Sequence, residues 1–277
     1  MHKDRDISVA ILLATYNGSQ YVAQQIESLS RNSTPITLHW IDDLSSDDTR
    51  SVVQNTVSRL GLLTKEWSST KRQGCPGTFF FLLENVQADI YLFCDQDDIW
   101  EAGKIDATVV ALTGELDSAA ICFSDPLMFK NDAPHEMHRL SKVSGTNPLS
   151  SVRESRLFMA AVPHGNALGF TRALRHVYLR HSQIARSYAV MHDVWMYDIA
   201  VACGTVKFLS DVPTVLYRFH GNNVSAKYGR WVGKGPGRIS MSWAAHQAVR
   251  EGLARHARGF LLACRDMPRS EDRRAHV

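Results

Sequence analysis

The chain has 277 residues, of which 44% are hydrophobic and 21% charged, and its formal net charge is +3. This composition is typical of a folded globular protein and excludes a disordered, collagenous or fibrous chain. The length suits one large domain with an appendage.

The first predicted element is a strand that directly follows a charged N-terminus. The apolar run 7–14 continues into an Asn-Gly pair without a small-residue cleavage site, which indicates a strand and not a secretion signal. No apolar run reaches the roughly 18 residues that span a bilayer. The five cysteines are scattered and form no C-x-x-C pair. We therefore expect a cytoplasmic protein whose chain does not cross a membrane.

Short apolar runs alternate with helical periodicity along the first hundred residues. Ser46 is placed to cap the second helix, and Gly61 is placed to end it. This alternation predicts an α/β fold with a mainly parallel sheet, whose ligand site lies beyond the carboxyl ends of the strands. The predicted strands are 7–14, 36–40, 62–67 and 90–94, and the helices between them are 19–30, 46–60 and 79–83.

Three polar segments follow these strands and are expected to be neighbours. The most acidic one contains Asp95, Asp97 and Asp98, which repel one another unless a cation or hydrogen bonds compensate. Mg²⁺ and Mn²⁺ prefer such oxygen ligands and complete their coordination shells with substrate phosphates. We therefore expect the ligand to be a nucleoside diphosphate. The structural alternative is an acidic turn that caps the next helix. The segments are 15–18, 42–47 and 95–98.

The pattern is less regular beyond residue 124. Residues 125–150 are rich in Pro, Ser, Asn, Asp and His, which predicts a long connecting loop near the site. Residues 208–219 contain Pro213 and predict extended segments near a sheet edge, because proline cannot donate to a sheet ladder. A zinc site at His135 and His138 is disfavoured, since no cysteine or further ligand accompanies the pair.

Residues 227–277 are predicted to form a separate, basic helical extension. They contain 11 lysines and arginines against 4 acidic residues, whereas acidic residues outnumber basic ones in the rest of the chain. An apolar helical stripe runs from Val249 through Phe260 to Cys264, beside a cluster of arginines. This helix can dock on its own domain, pair with a second subunit or contact anionic lipid, and we favour the first two. Nucleic-acid binding is not expected, because the body is acidic.

Five motifs resemble, in this order, those of the family 2 inverting glycosyltransferases, and most closely their bacterial rhamnosyltransferase-like branch. They are ATYNG at 14–18, DDLSSD at 42–47, FCDQDDIW at 93–100, MHDVW at 191–195 and YRFHGNN at 217–223. The resemblance covers about residues 7–224. It implies the glycosyltransferase A fold in a domain of residues 1–226, whose nucleotide-binding half (1–124) and acceptor half (125–226) share one continuous sheet.

The resemblance also implies roles for residues on the donor side. Asp97 and Asp95 form a D-x-D motif that would hold Mn²⁺ or Mg²⁺, and His220 would be a further ligand or a structural histidine. The nucleotide sugar would contact Thr15, Tyr16, Asp43, Asp95, Asp97 and either Lys71 or Arg72.

Asp193 resembles the catalytic base of the family. An inverting transfer needs a carboxylate that takes the acceptor hydroxyl proton, while a cation neutralises the departing diphosphate. The alternative is that Asp193 merely sits in the first turn of a helix, where a negative charge suits the dipole. The acceptor would contact His164, Asn166, His192 and Trp195.

The sequence therefore predicts an enzyme that moves a sugar, with rhamnose as a candidate, from a nucleotide-sugar donor to a surface polysaccharide or lipid-linked glycan. Leu44 stands where the family usually has glycine, and Phe79 where a polar residue is common. A non-catalytic nucleotide- or glycan-binding protein of the same fold is therefore the alternative. A dinucleotide-dependent oxidoreductase is disfavoured, because residues 15–18 lack the Gly-x-Gly-x-x-Gly turn.

Overall fold

The computed structural model describes residues 6–131, 133–144, 147–148, 164–212, 214–220, 223 and 243–267. The predicted alternation of strands and helices in the first hundred residues is confirmed. These elements are β1 (Val9–Thr15), α1 (Val22–Leu29), β2 (Thr37–Asp42), α2 (Thr49–Leu60), β3 (Thr64–Trp67), α3 (Gly77–Asn85) and β4 (Ile90–Asp95).

The second half of the chain adds shorter strands and most of the remaining helices. They are β5 (Ile99–Trp100), α4 (Lys104–Leu112), β6 (Ala120–Phe123), β7 (Leu127–Lys130), β8 (Ala133–Arg139), α5 (Leu140–Ser144), β9 (Leu168–Thr171), α6 (Arg172–Arg180), α7 (Ser182–Tyr188), α8 (His192–Cys203), β10 (Thr205–Phe208), β11 (Val215–Phe219) and α9 (Trp243–Ala263).

A seven-stranded sheet in the order β10-β6-β9-β4-β1-β2-β3 forms the centre of the fold. All its neighbouring pairs are parallel except those of β9, which runs antiparallel to β4 and β6. Alternate residues of β1 enter two different hydrophobic cores, Leu12 on one face and Ile11 on the other. Burial on both faces explains why the strand is apolar throughout.

A second sheet of four strands lies in the order β5-β11-β7-β8. Its hairpin β7-β8 and the helix α5 occupy much of the segment that we predicted to be a long loop, so that prediction is wrong for residues 127–131 and 133–144. The hairpin is held by β11, which pairs in parallel with β7 from far along the chain. Residues 132, 145–146 and 149–150 of the segment lie outside the described part.

The prediction that residues 208–219 lie near a sheet edge is wrong for β11, the strand that they form. Strand β10 is the outermost strand of the large sheet, whereas β11 lies between β5 and β7. Pro213, on which the edge prediction rested, lies outside the described residues.

The predicted end of α2 is confirmed, and its predicted cap is wrong. Gly61 ends the helix in the left-handed conformation with φ of 61°. Asp48 occupies the N-cap position without a side-chain cap bond. Ser46 instead donates its backbone N–H and its hydroxyl to Oδ1 of Asn17, at 2.8 and 3.3 Å, and so ties the loop after β2 to the loop after β1.

The C-terminal helix α9 docks on its own domain through α7 and α8. Phe260 is fully buried, and Cys264 is half-buried, as the predicted stripe requires. The side chain of Val249 lies outside the described part. Among the described residues, no helix has both the length and the apolar character that a bilayer span needs.

Candidate functional site

A cleft of about 650 Å³ opens at the carboxyl ends of β1, β2 and β4. Parallel strands bring their carboxyl ends to one edge, and the starts of α3 and α8 and the end of β11 close the cleft from the other sides. Eleven of the predicted site residues line it, namely Thr15, Tyr16, Asp43, Arg72, Asp95, Asp97, His164, Asn166, His192, Asp193 and His220.

Two predicted site residues do not line the cleft. Trp195 is fully buried, and its ring packs edge-on against His256 and Phe260, at centroid distances of 5.0 and 5.6 Å. The predicted contact of Trp195 with an acceptor is therefore wrong, because this side of α8 faces the protein interior. Lys71 is exposed outside the cleft, whereas its neighbour Arg72 lines it, so Arg72 is the cation of that pair that faces the site.

Tyr16, at the end of β1, is held by a side chain that the sequence analysis did not assign. The amide of Gln96 accepts from the backbone N–H of Tyr16 at 2.8 Å and donates to its backbone oxygen at 3.0 Å. Gly18 makes room for this contact, since a Cβ there would lie 2.1 Å from Oε1 of Gln96. The middle residue of the D-x-D motif thus connects the β1 loop to the acidic turn.

Asp43 organises the wall of the cleft that is formed by the loop before α3. Its two carboxylate oxygens accept from the backbone N–H groups of Gln73 and Gly74, at 2.6 and 2.8 Å. Arg72 lies 3.7 Å from the same carboxylate and stacks on the ring of Tyr16 at 3.6 Å. The carboxylate therefore fixes the loop before α3, and the Arg72–Tyr16 stack forms one face of the cleft.

Leu44, which stands where the family that the motifs resemble usually has glycine, adopts a conformation typical of glycine. Its φ of 62° places it in the left-handed region, which glycine enters without strain and leucine rarely adopts. Its side chain is 52% exposed beside the cleft. Leucine at this position therefore holds a backbone conformation that glycine would adopt without strain.

The acidic turn after β4 presents a carboxylate–imidazole pair to the cleft. Oδ2 of Asp97 lies 2.8 Å from Nε2 of His220, and both side chains are only about 15% exposed. Tyr21 stacks on the imidazole at 5.1 Å. The carboxylate oxygens of this pair suit Mg²⁺ and Mn²⁺. Among the described residues no three acidic, histidine or cysteine side chains surround one metal position, so a cation held here would take its other ligands from a bound anion or water.

Buried groups support the acidic turn from behind. Asp98 is fully buried and accepts from the amide of Asn166 and, at 3.0 Å, from the backbone N–H of Arg218. Burial, together with the charges of Asp97 and Asp95, raises the pKa of Asp98 well above its usual range. Asn166 lines the cleft, and its amide nitrogen donates to Asp98, so its predicted contact with an acceptor stays a prediction.

Arg218 is a further residue that the sequence analysis did not assign, although it lies within the quoted YRFHGNN motif. Its Nε donates to the backbone oxygen of Asp97 at 2.8 Å, and its guanidinium lies 4.9 Å from the ring centres of both Tyr21 and Phe129. It also donates to Oε1 of Gln24 at 2.5 Å. One side chain therefore connects the acidic turn to α1 and the β7-β8 hairpin.

Asp193 lies in the first turn of α8 with a fixed orientation. Its Oδ2 accepts from the backbone N–H of Gly165 at 3.0 Å, and its Oδ1 accepts from that of Val194 at 2.8 Å. A Cβ on Gly165 would lie 2.9 Å from Nε2 of His192, so the close approach favours glycine. The carboxylate faces the cleft while two backbone donors hold it in place.

Phe79 and His192 form the floor of the cleft beside Asp193. Their rings stack at 3.9 Å, which gives a packing reason for an apolar residue at position 79. Nδ1 of His192 lies 3.9 Å from Sγ of Cys75. His164 lies nearby, with its ring 5.8 Å from that of Tyr217.

Lys104 is buried behind the acidic turn at the start of α4. Its ammonium lies 3.7 Å from the centre of the Trp100 ring and has no hydrogen-bond partner in the part of the chain that is described. Burial lowers its pKa from 10.5 to about 8, against the opposing influence of Cys122, Cys94 and Asp98. The charged form is therefore destabilised in the folded protein.

Residues 10–176 match the profile of the family described as Glycosyl transferase family 2. The dTDP-rhamnosyl transferase RfbG of Shigella flexneri is 26% identical over 223 residues, which cover 76% of this chain and 72% of the relative. The UDP-Glc:alpha-D-GlcNAc-diphosphoundecaprenol beta-1,3-glucosyltransferase WfgD of Escherichia coli is 32% identical over 106 residues, or 38% of this chain and 40% of the relative.

Solved structures show the same architecture. Residues 1–349 of TarS from S. aureus, in complex with UDP-GlcNAc, give a TM-score of 0.60 at 16% identity, covering 92% of this chain and 76% of that one. The mannosyltransferase PcManGT from Pyrobaculum calidifontis, in complex with GDP-Man and Mn²⁺, gives 0.59 at 15% identity, covering 96% and 77%. The predicted glycosyltransferase A fold is confirmed.

The buried ammonium of Lys104 generates a pH-dependent prediction. When the protein unfolds, the pKa of Lys104 returns to about 10.5. Between pH 8 and pH 10.5 the unfolded chain therefore binds more protons than the folded chain. The contribution of Lys104 to the free energy of unfolding consequently rises with pH through that window. We expect Lys104→Met to raise the free energy of unfolding at pH 7 by about 1–3 kcal/mol and to lose that advantage toward pH 10.5.

Urea unfolding of both proteins at pH 7 and pH 10 measures this difference. Lys142→Met, at an exposed position of α5, is the control and should show no such pH dependence. Lower stability of Lys104→Met at both pH values would mean that the ammonium is a paired, stabilising charge.

Proposed function

The chain belongs to glycosyl transferase family 2, in its rhamnosyltransferase-like branch, and from this premise we propose that it is a metal-dependent, inverting glycosyltransferase. It transfers a sugar from a nucleotide-sugar donor, and the alternative of a non-catalytic binding protein is disfavoured. The observation that supports the metal and the inversion is that one cleft contains both the Asp97–His220 pair and the oriented carboxylate of Asp193.

Rhamnose is the sugar that we propose, and a surface polysaccharide or lipid-linked glycan is the proposed acceptor. The likeness to a dTDP-rhamnosyl transferase along three quarters of the chain supports the first. The shorter likeness to a glucosyltransferase whose substrate is a diphosphoundecaprenol-linked sugar supports the second.

In the proposed reaction, Asp193 takes the proton of the acceptor hydroxyl as that oxygen attacks the anomeric carbon from the side opposite the diphosphate. The backbone N–H groups of Gly165 and Val194 keep the carboxylate oriented for this step. Asp97 and His220 would hold Mn²⁺ or Mg²⁺ together with oxygens of the bound diphosphate and water, and the ion would supply positive charge to the leaving group. Asp95 lines the same cleft and would face the nucleotide sugar. Tyr16 and Asp43 would bind the nucleoside.

Arg72 is the cation of the chain that we assign to the donor phosphates. It lines the cleft between Asp43 and Tyr16, and its side chain is 56% exposed, so it can turn toward a bound anion. Lys71 receives no role.

Asp193→Asn tests the catalytic base. The amide keeps the size of the side chain but cannot accept the proton, so we expect turnover to fall by about 10²- to 10⁴-fold while the affinity for the donor stays within about twofold. Transfer of radiolabelled sugar and calorimetric titration of the donor measure the two effects. Unchanged turnover would refute the assignment, and an unchanged melting temperature controls for folding.

Asp97→Asn tests the metal site. We expect the wild-type protein to bind dTDP or UDP more tightly with Mn²⁺ than with a chelator, and the variant to lose most of that gain because one anionic ligand is gone. Asp48→Asn, at an exposed position outside the cleft, is the matched control. Equal wild-type affinity with and without Mn²⁺ in calorimetry would count against the proposal.

We further propose that the enzyme works in the cytoplasm, in peripheral contact with the inner face of the membrane through α9. The exposed face of this helix carries Arg255 and Arg258 beside Leu261 and Leu262, which are 64% and 37% exposed, and the exposed Arg265 follows just beyond its end. Arginines and exposed leucines on one helical face suit an anionic lipid surface. Dimerisation through the same helix stays a prediction.

Sedimentation with vesicles of phosphatidylglycerol and phosphatidylcholine tests this contact. We expect binding at low salt that weakens at high salt, is absent with phosphatidylcholine alone, and falls about tenfold or more in Arg255→Glu/Arg258→Glu. No binding to anionic vesicles at low salt would remove the membrane proposal without affecting the site.

A further inference from the structure

One buried histidine of the C-terminal helix α9 forms hydrogen bonds with α8, the helix that carries Asp193, and with the segment before it. His256, on α9, is fully buried. Its Nδ1 lies 3.1 Å from the backbone nitrogen of Val190, and its Nε2 lies 2.9 Å from Oδ2 of Asp198, a carboxylate that is also fully buried. Both ring nitrogens therefore contact the segment 190–198.

The hydrogen-bond partners decide which nitrogen of the His256 ring carries the proton. The backbone N–H of Val190 can only donate, so Nδ1 of His256 is the acceptor and carries no proton. Nε2 then carries the proton and donates it to the carboxylate of Asp198, in a charge-assisted bond away from water. This arrangement uses a neutral imidazole with one acceptor and one donor, which few other side chains reproduce.

The two contact points lie on either side of Asp193 in the sequence. Val190 precedes it by three residues and belongs to the segment that leads into α8, whereas Asp198 follows it by five residues within the helix. Trp195, on the same helix, packs edge-on against the imidazole. His256 thus ties the entry of α8 to the helix body.

Close packing leaves α9 little freedom to move away. A Cβ on Gly259 would lie 2.2 Å from Cβ of Tyr188, at the end of α7, so the two backbones approach more closely than a larger residue allows. Phe260 fills the space beside Trp195, at 5.6 Å between ring centres. Close packing therefore fixes the position of α9 against α7 and α8.

The position of α8 matters because the carboxylate of Asp193 is held by a group outside that helix. Its Oδ2 accepts from Gly165, in the segment before β9, at 3.0 Å. A small shift of the start of α8 would lengthen this bond and move the carboxylate. Misplacement of a reacting group by about 1 Å can cost about 100-fold in rate.

We propose that His256 is a positioning residue for Asp193, and that α9 is therefore part of the catalytic apparatus as well as an appendage. This inference rests on the proposed function, in which Asp193 is the base. It assigns a role in the reaction to a residue 80 positions beyond the end of the family match.

Three substitutions separate the two hydrogen bonds. His256→Phe removes both. His256→Asn keeps an acceptor near the position of Nδ1 for Val190, and His256→Gln keeps a donor near that of Nε2 for Asp198. We expect kcat to fall about 10- to 100-fold in His256→Phe while the donor KM stays within about twofold. His256→Asn should recover most of kcat, because it restores the bond at the entry of α8, and His256→Gln less.

Met267→Ala controls for general destabilisation. This residue is buried beyond the end of α9, in the same core as Trp195 and Phe260. Each variant is assayed well below its own melting temperature. If Met267→Ala lowers kcat as much as His256→Phe at the same loss of melting temperature, or if neither polar replacement recovers activity, the positioning role is overturned.

Asp193→Asn in the same assay separates this inference from the proposed function. Full activity of Asp193→Asn would overturn the base assignment and with it the role of His256. An inactive Asp193→Asn combined with wild-type kcat in His256→Phe would overturn the positioning role alone.

Discussion

The parallel register of β1 with its two neighbours decides where the loops that carry Asp43 and Asp97 lie. Thr15 at the end of β1 pairs with Asp42 on β2, and Ala14 pairs with Asp95 on β4. The loops that follow these strands must therefore emerge side by side. A register shift of one residue would turn the apolar side chains of β1 to the opposite core, so the buried faces and the cleft are specified by the same pairing.

The fold compensates for the acidic turn that this register creates. Asp97 is paired with His220, Asp98 is buried against Asn166 and Arg218, and Gln96 binds the backbone of Tyr16. The groups that restrain the turn come from the later part of the chain. Residues from the later part of the chain, namely Asn166, Arg218 and His220, thus shape the acidic turn.

The sequence alone predicted the elements whose information is local. The apolar runs of β1 and β4 and the left-handed Gly61 follow from residue type and spacing, and the motifs located most of the cleft. The β7-β8 hairpin was missed because its partner β11 is far away in sequence. The same motifs named Trp195 but could not show that its side chain faces inward, since helical neighbours point in different directions.

Other parts of the site depend on contacts that spacing does not encode. Gln96 and Arg218 lay within the quoted motifs, yet their roles follow from which backbone groups they reach. Lys71 and Arg72 were equivalent in the sequence, and only the course of the loop before α3 separates them. The link from His256 to α8 joins segments that a pattern search treats as separate units.

The most direct measurement is a crystal structure of the protein with dTDP-rhamnose and Mn²⁺. We expect the ion to lie between the diphosphate and the Asp97–His220 pair, and the nucleobase to lie near Tyr16 and Asp43. We expect Asp193 to lie beyond the anomeric carbon, on the side opposite the diphosphate. A nucleotide bound outside this cleft, or a sugar whose anomeric carbon faces away from Asp193, would contradict this expectation.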